Sequence, residues 1–319
     1  MDQGDTIMKT TSLTLAVLVV FCSCAGAFRP DSDSGSGQSR TIRTTGAVRL
    51  TGSGGITIPG LAHPPEGMSV GLDGSLYLCD TPNARVLKVD PFGRILTAFN
   101  EFDSRAEGVF IPADVSVSGG IEVYVLDSGR SRVLRLDRNL RGAYTVYAPD
   151  SSQDRLFGAF GGIAFDPATG DIFVTDRDNG TIIRIDMLGG NIQTTGAFGS
   201  GRASLSAPAG IDVTPDGSLL IADEGGTVAI ERHFGAEFTL IGRGVLESPF
   251  DVAAIDGGSF AVADRRGIVV FDSTGSALAA AGFDGDEPLA PRAIAYSDGI
   301  LYVSDAASST IRTYTLTRP

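Results

Sequence analysis

Short runs of alternating apolar and polar residues fill most of this chain, each bounded by Gly, Asp, Pro or Asn. Runs of this kind read as half-buried β-strands joined by hairpins. Residues 76–90, LYLCDTPNARVLKVD, contain the recurring plan: a run ends on Asp80, a polar loop follows, and a second run leads away. The same plan ends VYVLD at Asp127, IFVTD at Asp176, LLIAD at Asp223, FAVAD at Asp264 and LYVSD at Asp305. The spacings are 47, 49, 47, 41 and 41 residues, a period that marks a repeat architecture.

Each repeat predicts four strands. The first unit reads PEGMSVGLDG, SLYLCDTPNARVLKVDPFG and RILTAFN, and the others follow it. The first turn is DG, GG or the DPATG variant in every unit, a strong hairpin signal. No window outside the N-terminal apolar segment sustains a helical stripe. Six four-stranded antiparallel units make an all-β fold, a six-bladed β-propeller. The sixth unit stops before its outermost strand. TTGAVRL (44–50) is similar to QTTGAFG (193–199) and is predicted to supply the missing strand, so that an N-terminal strand closes the ring.

SLYLCDTPNARVLKVDPFG and DIFVTDRDNGTIIRIDMLGG resemble NHL repeats: an apolar strand, Asp, a polar loop with Asn, a basic residue, Ile or Val, then Asp-x-x-Gly. The resemblance covers about residues 45–319. It is looser in units four to six, where DEGG and DRRG shorten the loop and drop the Asn. It implies a six-bladed propeller and no single activity, since similar repeats occur in binding scaffolds, in lyases and, more distantly, in lactonases.

The N-terminus departs from the repeat. Lys9 precedes LTLAVLVVF (13–21), followed by small residues, which reads as a secretory signal over 1–23. The apolar run is short of the roughly 20 residues that cross a bilayer. FCSC resembles a bacterial lipobox, which implies lipidation of Cys24, although Phe21 stands where that motif prefers Leu. Ordinary cleavage after Ala25 or Ala27 is the alternative. Residues 24–43, rich in Ser, Gly and Asp, read as a flexible tether ahead of a body at 44–319. The expectation is an extracytoplasmic, membrane-anchored bacterial lipoprotein, periplasmic or at the cell surface, touching the membrane through its lipid and monomeric.

Charge narrows the partners. The chain has 38 Asp and Glu against 25 Lys and Arg, a net −13, which argues against the phosphate-backbone contacts of nucleic-acid binding. Of three cysteines only Cys79 lies in the body, so no disulfide framework can form there.

Six aspartates at six equivalent places (Asp80, Asp127, Asp176, Asp223, Asp264, Asp305) are what a structural role predicts: each carboxylate accepts N–H groups of the loop it enters. Function is expected instead where the repeat breaks at the start of the inner strands. Glu66, Asp114, Asp251 and Arg292 would ring the channel mouth, while the Gly or Ala of other blades leaves room. Two long connections, 100–111 and 149–160, mix charges with Phe and would rise on that side.

GMSVG (67–71) matches a nucleophile motif but lies on a strand with no helix after it. DRDNG (176–180) fails the calcium-loop spacing. His63 and His233 are expected far apart, which disfavours zinc. No catalytic residue, metal ligand or cofactor is therefore assigned. The favoured reading is a non-enzymatic scaffold that binds a protein, peptide or glycan through its loop face. The alternative is a calcium-dependent lactonase-type hydrolase or lyase, with Glu66, Asp114 and Asp251 supplying oxygens.

Overall fold

The computed structural model of the protein describes residues 42–61, 63–101, 108–148, 158–186, 188–189, 192–196, 205–232, 237–283 and 288–318. The signal segment, Cys24, His233 and most of the two long connections lie outside these residues. Twenty-four strands form six separate four-stranded sheets, each antiparallel. The helical element among the described residues is one 3-10 turn at Thr81–Asn83. The fold is the six-bladed propeller that the repeat predicts.

Within a blade the chain runs outward. The inner strands are Met68–Val70, Pro112–Ser118, Phe160–Phe165, Pro208–Val213, Pro249–Ile255 and Pro291–Ser297. Each pairs with a second strand that ends on the repeated aspartate, as in Leu76–Asp80 and Ser259–Asp264. The second strands are buried along their length, apart from the first residue in blades two and six, because neighbouring blades cover both faces. Period-two alternation sorts their side chains between those neighbours. Leu76 and Leu78 pack with Ala293, Tyr302 and Ile311 of blade six, whereas Tyr77 and Cys79 pack with Val115, Val123 and Val125 of blade two.

The ring closes through the front of the chain, with a shift from the sequence expectation. The fourth strand of blade six is Arg49–Ile56, paired with Thr310–Thr317 from Arg49↔Thr317 to Ile56↔Ile311. The predicted segment 44–50 overlaps it only at its last two residues. The glycines of RLTGSGGI disguise a strand whose pairing comes entirely from its partner, and a bulge between Gly52 and Gly54 absorbs the irregularity. Residues ahead of it reach blade five: Thr45 N–H donates to Ala277 O at 3.0 Å, and Ile42, placed in the tether from sequence, packs against the core cluster that blades four and five share.

All six repeat aspartates are buried. Five reach back to the segment that leads into their own inner strand, not only into the loop they precede. Asp127 accepts from Ile111 N–H at 3.0 Å, Asp176 from Gly158 at 2.8 Å, Asp223 from Ala207 at 2.7 Å, and Asp305 from Ala290 at 2.8 Å. Asp264 accepts from Glu247 and Ser248, both at 2.9 Å, and from Arg266 at 3.0 Å. Asp80 differs, holding Asn83 and the Arg85 guanidinium (2.6 Å). The carboxylate thus fastens the incoming connection to the blade it enters. Because Asp264→Ala strands three N–H groups, it is expected to cost about 1–3 kcal/mol, as a buried unsatisfied group does. Urea unfolding of the variant checks this, and an unchanged midpoint would refute the fastening role.

Candidate functional site

At the mouth of the central channel the first residues of six inner strands converge. Glu66 is exposed there. Arg292 is also exposed, its guanidinium 5.8 Å from the Phe250 ring of the preceding blade, within cation–π range. Asp114 and Asp251 sit deeper, half-buried on the channel wall. Their electrostatic coupling brings them together with a third carboxylate, Asp212, which the sequence reading missed. The available signal was the IDV of PAGIDV, where an Asp stands two positions later on the inner strand than in PADVSV and PFDVAAI.

The three carboxylates share one geometry. Each accepts the N–H of the residue after it: Val115 at 2.8 Å, Val213 at 2.8 Å and Val252 at 2.9 Å. The other oxygen crosses to the inner strand of the next blade. Asp114 accepts Ile163 N–H at 2.9 Å, Asp212 accepts Ala254 at 2.7 Å, and Asp251 accepts Ile294 at 2.9 Å. Ser116 repeats the crossing for Phe165 N–H at 3.1 Å. Inner strands of adjacent blades are not paired with each other, so these side chains supply acceptors along an otherwise open edge.

Hydroxyls one position before the repeat aspartate make a second set of links. Thr175 donates to Ala209 O of blade four at 2.5 Å, and Ser304 to Pro65 O of blade one at 2.7 Å. Cys79 occupies the equivalent place in blade one and is fully buried. Burial, with Asp114, Glu66 and Asp80 nearby, pushes its thiol well up.

The glycines at the mouth do not leave space for a ligand, as the sequence reading expected. A Cβ added to Gly67 would lie 2.5 Å from Asp114 Cα, one on Gly162 2.9 Å from Gly210 Cα, and one on Gly210 2.6 Å from Asp251 Cα. The space is filled by the backbone of the next blade. Gly210→Ala is accordingly expected to destabilise the fold by about 1–3 kcal/mol through overpacking, measured by denaturant unfolding.

Desolvation dominates the electrostatics of the channel. It raises Asp114 to about 7, against the pull of the Ile163 and Val115 N–H groups and with added repulsion from Asp212. It raises Asp212 to about 6. It lifts Asp251 well above the usual carboxylate range, with further repulsion from Asp114. These oxygens are turned onto backbone N–H groups, and among the described residues no cluster of three or more His, Cys, Asp or Glu is arranged to hold a metal. A different feature, a cavity of about 200 Å³, opens on the opposite face between blades five and six, lined by Val48, Ile255, Val270 and Leu316 with Asp256, Tyr296 and Arg318 at its edge.

Solved structures share this architecture. A streptogramin B lyase is 18% identical with a TM-score of 0.59, over 85% of this chain and 88% of its own. A catalytically inactive virginiamycin B lyase from Staphylococcus aureus, crystallised with quinupristin, is 17% identical with a TM-score of 0.59, over 85% of this chain and 100% of its own. A gluconolactonase from Xanthomonas campestris is 16% identical with a TM-score of 0.63, over 84% of this chain and 98% of its own. At these identities the likeness is one of fold. No protein-family model and no curated protein matches the chain.

The raised carboxyls set a pH dependence. Their native pKa values exceed the unfolded ones, so the native state holds protons that the unfolded chain has released. The stabilisation is complete below the ordinary carboxylate range and is lost as pH rises through about 6 for Asp212 and about 7 for Asp114. Melting temperature is expected to fall from pH 5 to pH 8, and Asp114→Asn to flatten that slope. A wild-type melting temperature that rises over the same interval would contradict the assignment.

Proposed function

We propose that the protein is a lipid-tethered, extracytoplasmic propeller that binds a protein, peptide or glycan at its channel mouth rather than a catalyst working there. The observation that supports this most is the double engagement of Asp114, Asp212 and Asp251. Each has one oxygen on its own strand and one on the next blade, so the carboxylates nearest the channel are held in fixed orientations by the ring itself. Desolvation also favours their neutral forms, which weakens them as cation ligands. Glu66 and Arg292, the exposed pair of opposite charge, are left to meet a polar ligand, with Phe250 beneath the guanidinium. The tether reading rests on the signal-like segment, Cys24 and the polar stretch after it.

A second reading, a lactone-opening or lyase enzyme, draws support from the fold neighbours that carry those names. One comparison separates the two. Wild-type protein and the Glu66→Ala and Arg292→Ala variants are used to pull down partners from membrane extracts, and gluconolactone opening is assayed with and without calcium. The scaffold reading expects a partner retained by wild type and lost by at least one mouth variant, with no turnover. Calcium-dependent turnover abolished by Asp251→Ala would overturn it.

A further inference from the structure

The mouth is one of two faces. The other carries the turns between first and second strands and between third and fourth strands, and its two halves differ. Among the described residues, the four most exposed large apolar side chains all sit on these turns: Phe92 (91%), Leu72 (83%), Leu188 (78%) and Ile121 (72%). All four belong to blades one to three. They are also neighbours in part. A Cβ on Gly120 would touch Leu72 at 3.3 Å, and one on Gly74 would touch Pro91, the residue before Phe92, at 3.5 Å. A hydrogen bond from Tyr77 Oη to Arg138 O (2.7 Å) ties the same turns of blades one and two together. Adjacent turn tips bearing Leu, Phe and Ile are not what a wholly solvated surface requires.

Charge follows the same division. Near the apolar tips the acids are matched: Asp73 meets Lys88 at 3.0 Å, Asp90 meets Arg94 at 3.0 Å and Glu122 meets Arg135 at 3.3 Å, while Arg138 and Arg141 stand exposed beside Asp137. The turns of blades four to six present Asp216, Asp256, Asp272 and Asp298 instead. With blade three's Asp166, Asp171 and Asp186 included, the apolar half sets seven acids against six bases, close to balance, whereas the four acids of the other half face only Arg232 and Arg318 among the described residues.

The chain also enters on this side. Arg49 pairs with Thr317, at the turn end of the last blade, and Thr45 pairs with Ala277, the first residue of the outer strand of blade five. Both of these contacts lie at the turn face, not at the mouth. Cys24 stands eighteen positions ahead of Ile42, and in the tether reading a polar segment of that length spans about 25 Å root-mean-square.

From these three observations we propose that the turn face of blades one to three rests on the lipid bilayer, with Leu72, Phe92 and Ile121 inserted at the headgroup boundary and the channel mouth directed away from the membrane. The inference rests on the tether reading for its proximity to lipid. Three turn-tip side chains alone make a weak, reversible contact. A tether that already holds the body near the surface converts that contact into a preferred orientation.

The native chain has no tryptophan, so a single indole reports unambiguously. Full-chain protein bearing Phe92→Trp, Ile121→Trp or, on the mouth face, Ala307→Trp is reconstituted on phosphatidylethanolamine–phosphatidylglycerol vesicles with brominated acyl chains. The expected result is blue-shifted, several-fold quenched emission for Phe92→Trp and Ile121→Trp, and unquenched emission for Ala307→Trp. If neither turn-face indole is quenched while the protein still floats with the vesicles, the docking face is wrong and the tether stands. If Cys24→Ala floats as well as the native chain and Phe92→Trp remains quenched, the tether fails and the docking face stands. Turn-face indoles shielded from iodide without vesicles, with a doubled sedimentation mass, would assign the face to a second copy and overturn the proposal.

Discussion

Each innermost strand of a propeller has one edge that no other strand pairs. Its N–H groups face the neighbouring blade in a region too narrow for ready solvation, and an unmet buried donor is costly. Asp114, Ser116, Asp212 and Asp251 meet that constraint with side-chain oxygens reaching across the gap. The mouth glycines follow from the same constraint, since the crossing works only if the backbones come close, and at Gly67 and Gly210 they come too close for a Cβ. Five of the repeat aspartates do the corresponding work one strand out, fastening the incoming connections of their blades. Asp114, Asp212 and Asp251 thereby take part in the assembly of the ring.

The two faces of the disc then have different characters. The mouth carries an exposed Glu66 and an exposed Arg292 stacked toward Phe250, suited to polar contact. The turn face carries apolar tips on one half and acids on the other, and it is where the chain enters. Such asymmetry arises easily in a repeat protein. The strands are constrained by both neighbours, whereas turn tips such as Leu72 and Phe92 touch little and are free to differ from blade to blade.

Much of this fold was legible in the sequence because second strands are buried on both faces and must repeat. IFVTD, FAVAD and LYVSD announce the period, and the final aspartate of each fastens the connection into its blade. Closure was legible as a missing strand, but its position was not: RLTGSGGI lacks the β-branched, alternating character of a strand and is recruited by its partner across the seam. At the mouth, Asp114 and Asp251 were legible as breaks in the repeat, whereas Asp212 was not, because it stands two residues further along its strand. Gly162 and Gly210 misled for a related reason. A single chain segment does not disclose what the adjacent blade places against it.

The seam also constrains the order of events during biosynthesis. Ser53 Oγ meets Thr313 Oγ1 across a separation of 260 residues, 3.1 Å apart. The first strand made must wait for the last to leave the ribosome before it has a partner. At rates on the order of 5–20 residues per second that delay is roughly 13–52 s, during which five blades can form while an unpaired edge stays exposed at each end. Contacts of such long range also fold slowly once they become available. The glycine-rich character of residues 52–55 suits that interval: a leading segment with little intrinsic β-propensity is a poor template for strangers and takes up order only when its own last blade arrives.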